Sequence, residues 1–523
     1  MKRIITFMLV LAMVMSFAAP AIAGPFDPLR ETGSLTITKY LTNRVPVKGI
    51  SNEGRLLTEA PANIIKALAG VEFQVVRVVP QPGQAGGAGA IKSNDDGQWY
   101  IPLVGEGAYS QTITTDQDGE ALFANMPLGI YYVTELMSNL VTDPSAPFFV
   151  SIPTILEGEN GEDDYLYDVH AYPKNEDLGI KKELTSANKS NGIGVASNGT
   201  GVGFGDEVTY TLTVDVPTDI ANAQVFKVTD IYSAGLKFKE VVSVEATPTA
   251  AGPIPYTMTP SAPTSDGGTI VFDFKDGETN KFDALIGAHQ VKIKVTFTVT
   301  DQASMLDAIP NQAKLDYTNR YGHDHERESD IPEVYTGGLR IFKHDSVITT
   351  LGLQGASFVL VPKLSANYEA DRGAAAGTFT VGEGADAKTV NAYANFYKRL
   401  GATTPLVGTS DASGIVTFQG IPYGKVVDGE YVNTPTEYWL VEVAAPNGYR
   451  TPGGQPTVVT VSATSWVASP VALDLDIKVG NVKGFNFPLT GGTGTMMFFV
   501  AALALAGMAL GFNRLGKKET HTA

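Results

Sequence analysis

Three polar side chains fall where strand alternation should place apolar ones. In "GLRIFKHDS" the inward set is Leu339, Ile341 and Lys343, and in "EYWLVEVAAPNGY" it is Tyr438, Leu440 and Glu442. In "LDLDIKVGNVK" it is Leu473, Leu475, Ile477, Val479 and Asn481. An unpaired charge is costly to bury, so the group either neutralises or reacts. Burial favours the neutral, nucleophilic amine of a lysine and the protonated form of a glutamic acid. A protonated Glu442 would hydrogen-bond the Asn481 carboxamide, polarise it and shuttle protons while the Lys343 amine attacks and ammonia leaves. The product is an amide joining the first and last strands of one sandwich. By the chain-entropy account of a long closed loop, such a tie is worth roughly 4–5 kcal/mol. The bland alternative is a satisfied buried ion pair.

Two more sets share this composition. In "DLGIKKELT" the inner residues are Leu178, Ile180, Lys182 and Leu184, which selects Lys182 over Lys181. "NQAKLDYTN" puts Asn311, Ala313, Leu315, Tyr317 and Asn319 on one face, and "FKVTDIYSAGLKF" supplies Asp230 after Phe226 and Val228. Nearer the start, Lys39 follows Leu35 and Ile37, Glu135 follows Tyr131 and Val133, and Asn175 closes the region. Whether this last set condenses is left open.

The elements that must hold these residues are strands. A chain of 523 residues, 43% hydrophobic and 18% charged, has room for about three globular domains. Gly 55 and Pro 30 supply the turns. An internal repeat relates the first and last thirds: "DQDGEALFANMPLG" (116–129) and "DASGIVTFQGIPYG" (411–424) align without gaps. Each is preceded by a similar strand, "LAGVEFQVVRV" or "LQGASFVLVPK", and followed by one ending in an acid, "YYVTE" or "YWLVE". The middle third alternates strictly in "DEVTYTLTVDVP" and "HQVKIKVTFTVTD". The expected fold class is all-β, three tandem Ig-like β-sandwiches over 24–177, 178–336 and 337–486. Residues 83–97 and 364–390 read as surface loops or insertions.

A net charge of −17 argues against a nucleic-acid surface and reads as solubility. The chain has no cysteine, so an exported protein of this kind would need another covalent staple. Residues 1–23 read as a signal peptide, with Lys2 and Arg3, an apolar run and Ala21-Ile22-Ala23 before a cleavage near Gly24. An apolar run from Thr495 to Phe512 is long enough for a membrane helix, and Arg514, Lys517 and Lys518 place the tail beyond it on the cytoplasmic side. Of the 6 histidines, His323 and His325 form a local pair that reads as a polar inter-domain loop rather than a metal site. No metal, cofactor or turnover enzyme is expected; the amide-forming residues act once, on their own chain.

Four motifs carry a family resemblance. Phe487-Pro488-Leu489-Thr490-Gly491, followed by the apolar span and basic tail, resembles the LPxTG sorting signal of Gram-positive surface proteins, with Phe487 in place of Leu. "YWLVEVAAPNGY" matches the pilin E-box at Tyr438, Leu440, Glu442, Ala445, Pro446, Gly448 and Tyr449, which makes the last domain similar to the B-type repeat of collagen adhesins. The first-domain "YYVTELMSN" lacks the A-P-x-G-Y half. The middle set resembles the isopeptide-forming second domain of fimbrial subunits, which implies Lys182–Asn311 with Asp230 as the acid and Asn319 as the second choice. "YLYDVHAYPKN" resembles the pilin motif W-x-x-x-V-x-V-Y-P-K, with Tyr165 for Trp and Ala171 for Val, and ends on Lys174 after Pro173. The whole resembles a Gram-positive major (shaft) pilin anchored to the cell wall. That resemblance implies a class C-type pilin sortase that cleaves after Thr490 and joins it to Lys174 of the next copy. The implied partners are other copies in a head-to-tail fibre, tip and base pilins, peptidoglycan, and a host receptor or matrix protein. The rival reading is a wall-anchored monomeric adhesin or minor tip pilin.

Overall fold

The computed structural model describes residues 23–484 apart from 43–52, 58–63, 82–89, 94–96, 139, 141, 158–161, 189–200, 249–252, 278–280, 428–429, 433–434, 452–454 and 463. Of the C-terminal tail it describes only 502–505 and 508, so the signal-peptide residues 1–22 and the sorting motif 487–491 lie outside the described residues. Among the described residues no helix is long and apolar enough to cross a membrane. The chain divides into two compact units, 1–188 with 207–304 and 308–334, and 189–206 with 305–307 and 335–523.

The alternating repeats do form strands. In the first unit, Thr32–Thr38 lies between Asp168–Ala171, parallel to it, and Glu120–Pro127, antiparallel. A second sheet centres on Glu72–Pro80, flanked by Gly129–Glu135 and Ser110–Thr114. Their inward faces share a core of Leu35, Ile37, Phe73, Val75, Phe123 and Tyr131. In the second unit, Gly337–Asp345 lies between Lys478–Lys483, parallel, and Ile415–Ile421, antiparallel. Opposite it, Ser357–Pro362 pairs with Thr436–Ala444, which pairs with Thr457–Val461. The two repeats thus share one arrangement, in which the first strand is covered by the parallel last one.

Residues 180–335 build a different sheet. Strand Val225–Thr247 is 23 residues long. Its first half pairs with Asp266–Asp273 and Ala308–Thr318, and its second half with Gln290–Val299. The change of partner falls at Gly235, whose φ of 96° is a left-handed conformation that glycine tolerates. Tyr210, Phe226, Phe272 and Phe297 fill the interior between the layers.

Two local expectations change. Leu473 is exposed and sits in a short 3₁₀ turn, Ala472–Asp474, because the last strand begins only at Lys478. Within 364–390 the chain is not bare loop: a helical turn Tyr368–Asp371 and a hairpin Ala375–Val381/Lys388–Tyr393 build a second core with Val359, Val361 and Trp439. That core covers the outer face of a strand whose six residues are all buried, Ser357–Pro362. Asp371 ties it down, accepting from Trp439 Nε1 at 2.8 Å and from the amides of Leu364 and Ser365.

The repeated D-x-x-G motif is a turn with one job in both units. Asp116 accepts from the amides of Asp118 and Glu120, and Asp411 from those of Ser413 and Ile415. Gly119 and Gly414, at φ 77° and 83°, then receive the backbone amides of Lys39 and Lys343 on their carbonyls, at 2.8 and 2.7 Å. A Cβ on Gly414 would lie 2.4 Å from the Lys343 carbonyl oxygen, whereas one on Gly355, also at positive φ, meets nothing. Gly414→Ala should therefore cost about 2–3 kcal/mol through strain and contact, and Gly355→Ala nearer about 1 kcal/mol. Calorimetric unfolding of the two variants tests the ordering.

Candidate functional site

In the second unit, strand pairing brings the three inward polar residues together. Lys343 has no accessible surface and lies beside the parallel last strand, where Asp345 is opposite Asn481. Glu442 comes from the facing sheet, paired with Phe358. Lys343 Nζ donates to Asn481 Oδ1 and, at 3.2 Å, to Glu442 Oε2. Asn481 Nδ2 donates to Glu442 Oε1 at 2.5 Å, so one carboxyl bridges both reactants. Burial holds the Lys343 amine below the usual lysine range and pushes the Glu442 carboxyl up. Both shifts bring the neutral amine and neutral acid closer in energy to the ion pair.

The first unit repeats the pattern at the junction between strands Thr32–Thr38 and Tyr40–Thr42. Lys39 Nζ donates to Glu135 Oε2 at 2.6 Å and to Asn175 Oδ1, and Asn175 Nδ2 donates to Glu135 Oε1 at 2.8 Å. All three residues are buried. Burial takes the Lys39 amine down to about 8, against the attraction of Glu135. The missing half of the E-box does not prevent the set from assembling. One difference stands out: Glu135 Oε2 also accepts from Ser145 N at 3.0 Å and Ser145 Oγ at 2.5 Å.

In the sheet of residues 180–335, Lys182 Nζ donates to Asp230 Oδ1 and Asn311 Oδ1, each at 2.6 Å, and to the Gln312 carbonyl at 3.2 Å. Burial lowers the Lys182 pKa and raises that of Asp230. Asp230 Oδ2, Asn311 Nδ2 and the Tyr210 hydroxyl are buried without a hydrogen-bond partner among the described residues. The second-choice asparagine is elsewhere: Asn319 donates to the Thr142 carbonyl at 3.0 Å, and its Oδ1 accepts from the amides of Tyr321 and His323. It belongs to the packing of the 137–143 segment, away from Lys182.

Sequence reasoning missed the aromatic ring beside each amine. The lysine nitrogens lie 5.8, 5.4 and 5.8 Å from the ring centroids of Phe73, Tyr210 and Phe358. Phe73 and Phe358 are the strand partners of Glu135 and Glu442. The aligned "VEF" and "ASF" of the two copies carried that signal. These rings exclude water from the amines, and their faces, at cation–π range, offset part of the cost of burying a charged lysine.

Lys174 sits apart from this chemistry. Strand Asp168–Ala171 stops before Pro173, and pairing resumes at Lys174, opposite Tyr40. Lys174 is half-buried, and desolvation lowers its pKa. Among the described residues its amine has no hydrogen bond or ion pair. A groove of about 470 Å³ runs beside the motif, bounded by Ser145, Phe148, Val150, His170 and Tyr172. Tyr172 stacks on Tyr40 at 6.2 Å with an 8° interplanar angle. His325 is likewise not in a loop: it is buried in strand Asp324–Glu328 and stacks on Tyr317 at 5.8 Å. No group of three or more His, Asp or Glu arranged for a metal occurs among the described residues.

Comparison with known proteins finds similarity to pilin and fimbrial subunits. Residues 30–176 match the family model described as Gram-positive pilin subunit D1, N-terminal domain. The chain is 25% identical over 457 residues to the fimbrial subunit type 2 of Actinomyces naeslundii, covering 81% of this chain and 76% of that one. It is 24% identical over 559 residues to the fimbrial subunit type 1 of Actinomyces viscosus, covering 96% of each. The full-length major pilin SpaD of Corynebacterium diphtheriae shares the fold, with a TM-score of 0.54 at 21% identity over 88% of this chain and 99% of that chain. Residues 30–176 therefore match the pilin N-terminal domain family, and the chain is similar over most of its length to fimbrial subunits of Actinomyces.

Proposed function

We propose that the chain is the repeating structural subunit of a covalently polymerised fibre on the Gram-positive cell surface. The observation that carries this reading is the threefold recurrence of a buried lysine in contact with one acid and one asparagine. In each set the neutral amine attacks the asparagine Cγ. The acid takes the amine proton and returns it to the leaving nitrogen, and ammonia departs. The products are Lys39–Asn175, Lys182–Asn311 and Lys343–Asn481 amides, with Glu135, Asp230 and Glu442 as the proton carriers. Each set reacts once, so the protein is a substrate of its own chemistry rather than an enzyme.

Polymerisation uses different residues. A pilin sortase cleaves after Thr490 and transfers the acyl group to Lys174 of the next copy, whose lowered pKa makes a fraction of free amine available. Joining two distinct sites in this way is a heterologous contact that generates an open fibre. The last copy is joined to peptidoglycan, with accessory tip and base pilins completing the assembly.

Intact-mass measurement of the mature chain should fall short of the sequence mass by one ammonia per bond; a mass equal to that of the sequence would sink the internal amides. Glu442→Ala should restore one ammonia and lose roughly 4–5 kcal/mol of stability with the cross-link. Lys174→Ala should abolish the high-molecular-weight ladder on immunoblots of cell-wall extracts while leaving the monomer's mass deficit intact. A ladder persisting in that variant would remove Lys174 as the acceptor, and a wild-type extract with no ladder would favour the wall-anchored monomeric role.

A further inference from the structure

Two strands of the last sandwich finish at the same pole because they are parallel: Gly337–Asp345, and Lys478–Lys483, which leads out toward the sorting motif. The first of them ends in a turn built to hold its shape. Asp345 Oδ1 accepts from the amides of Val347 at 2.7 Å and Ile348 at 3.0 Å, and Asp345 Oδ2 from the Tyr449 hydroxyl at 2.8 Å. The Leu351 amide donates to the Ile348 carbonyl at 2.8 Å, and the Leu351 carbonyl accepts from the Asp345 amide at 3.0 Å. The turn is also tied to the outgoing strand, since the Ser346 amide donates to the Asn481 carbonyl at 2.9 Å.

What this frame displays is apolar. Val347, Ile348 and Leu351 are 83, 54 and 43% exposed. Three neighbouring aliphatic side chains held in water by an ordered turn mark a contact surface rather than scattered exposure. The chain beyond says what arrives there. Thr490 lies six residues past Gly484, a span of at most about 20 Å when extended. Whatever is joined to Thr490 is therefore held close to this pole. Beside Lys174 runs the groove of about 470 Å³, walled by Phe148, Val150, Ala171 and Tyr172, with Ala146 exposed at its rim.

We propose that the turn 345–351 of one copy docks in the groove beside Lys174 of a second copy, so that an apolar contact accompanies each link between copies. The inference rests on the reading that Thr490 is joined to Lys174 of the next copy. A contact of three side chains is small and therefore weak between free subunits, but the covalent link raises its effective concentration and keeps it closed along the fibre. Each chain carries a net charge of −17, and an apolar contact opposes the mutual repulsion of neighbours at any ionic strength.

The absence of cysteine makes the test direct. Val347→Cys and Ala146→Cys are placed in one full chain, fibres are collected from cell walls, and a short bis-maleimide couples nearby thiols before digestion and mass spectrometry. The expected product is a peptide pair joined through positions 347 and 146, present in fibres and absent from the Lys174→Ala monomer. Val471→Cys with Ala146→Cys is the control, because Val471 is 61% exposed but lies before the start of the outgoing strand; it should give no pair. Adding Ile348→Asp to the first pair should lower its yield about tenfold, since a carboxylate would have to be buried, whereas adding Leu473→Asp should not. A 347–146 pair missing from fibres, present equally in the monomer, or indifferent to Ile348→Asp overturns the docking contact. A wild-type strain that makes no fibre overturns the polymer reading instead.

Discussion

Everything distinctive in this chain depends on enclosing a lysine amine among apolar strands with only a carboxyl and a carboxamide for company. Desolvating a charge costs several kcal/mol, and a salt bridge recovers that only in part. The sandwich interior therefore disfavours the ionised pair it contains. On the proposed reading, that opposition is what drives each set to react. Formation of an amide removes both charges at once, replacing a costly buried pair with a neutral group and a covalent tie.

The surrounding architecture serves that enclosure. In both repeats the first strand is sandwiched in its own sheet, with a parallel last strand on one side and an antiparallel strand on the other. In the second unit the parallel partner carries the asparagine, and in the first Asn175 lies on the next short strand, Lys174–Glu176, parallel to Tyr40–Thr42; in both the facing sheet brings the acid with an aromatic ring opposite it. The D-x-x-G turn fixes the lysine backbone through its glycine carbonyl, so the amine points inward at a set depth. In the central sheet the lysine comes instead from an ordinary strand, Ile180–Asn188, and the acid from the first half of the long bent strand. Two unrelated layouts thus deliver the same three groups to one point.

Much of this was legible because period-2 alternation leaves little freedom. Lys39, Lys182 and Lys343, with Glu135, Asp230, Asn175, Asn311 and Asn481, are buried where their strand faces placed them. Alternation failed where its assumptions did. Strand Ser357–Pro362 is buried on both faces because an inserted hairpin covers its outer side, so its pattern carries no period. Leu473 continues the alternation in sequence but precedes the strand in space. Asn311 and Asn319 are equivalent by parity, and only the third dimension separates them. Ser145 could not be read at all, since its contact with Glu135 is made by a loop whose path no local pattern encodes.

Lys174 and Asn175 are neighbours in sequence, and this adjacency bears on tension. If Lys174 receives the load from one neighbour and Thr490 passes it to the other, residues 24–173 hang outside the pulled chain. With the internal amides formed, the taut covalent path runs from 174 to Lys182, crosses to Asn311, continues to Lys343, crosses to Asn481 and leaves at 490. The strands between those crossings are spared, including the hairpin on the outer face of the last sandwich. A fibre wired in this way carries most of its sequence slack, so its surface loops could change without weakening the line that holds it.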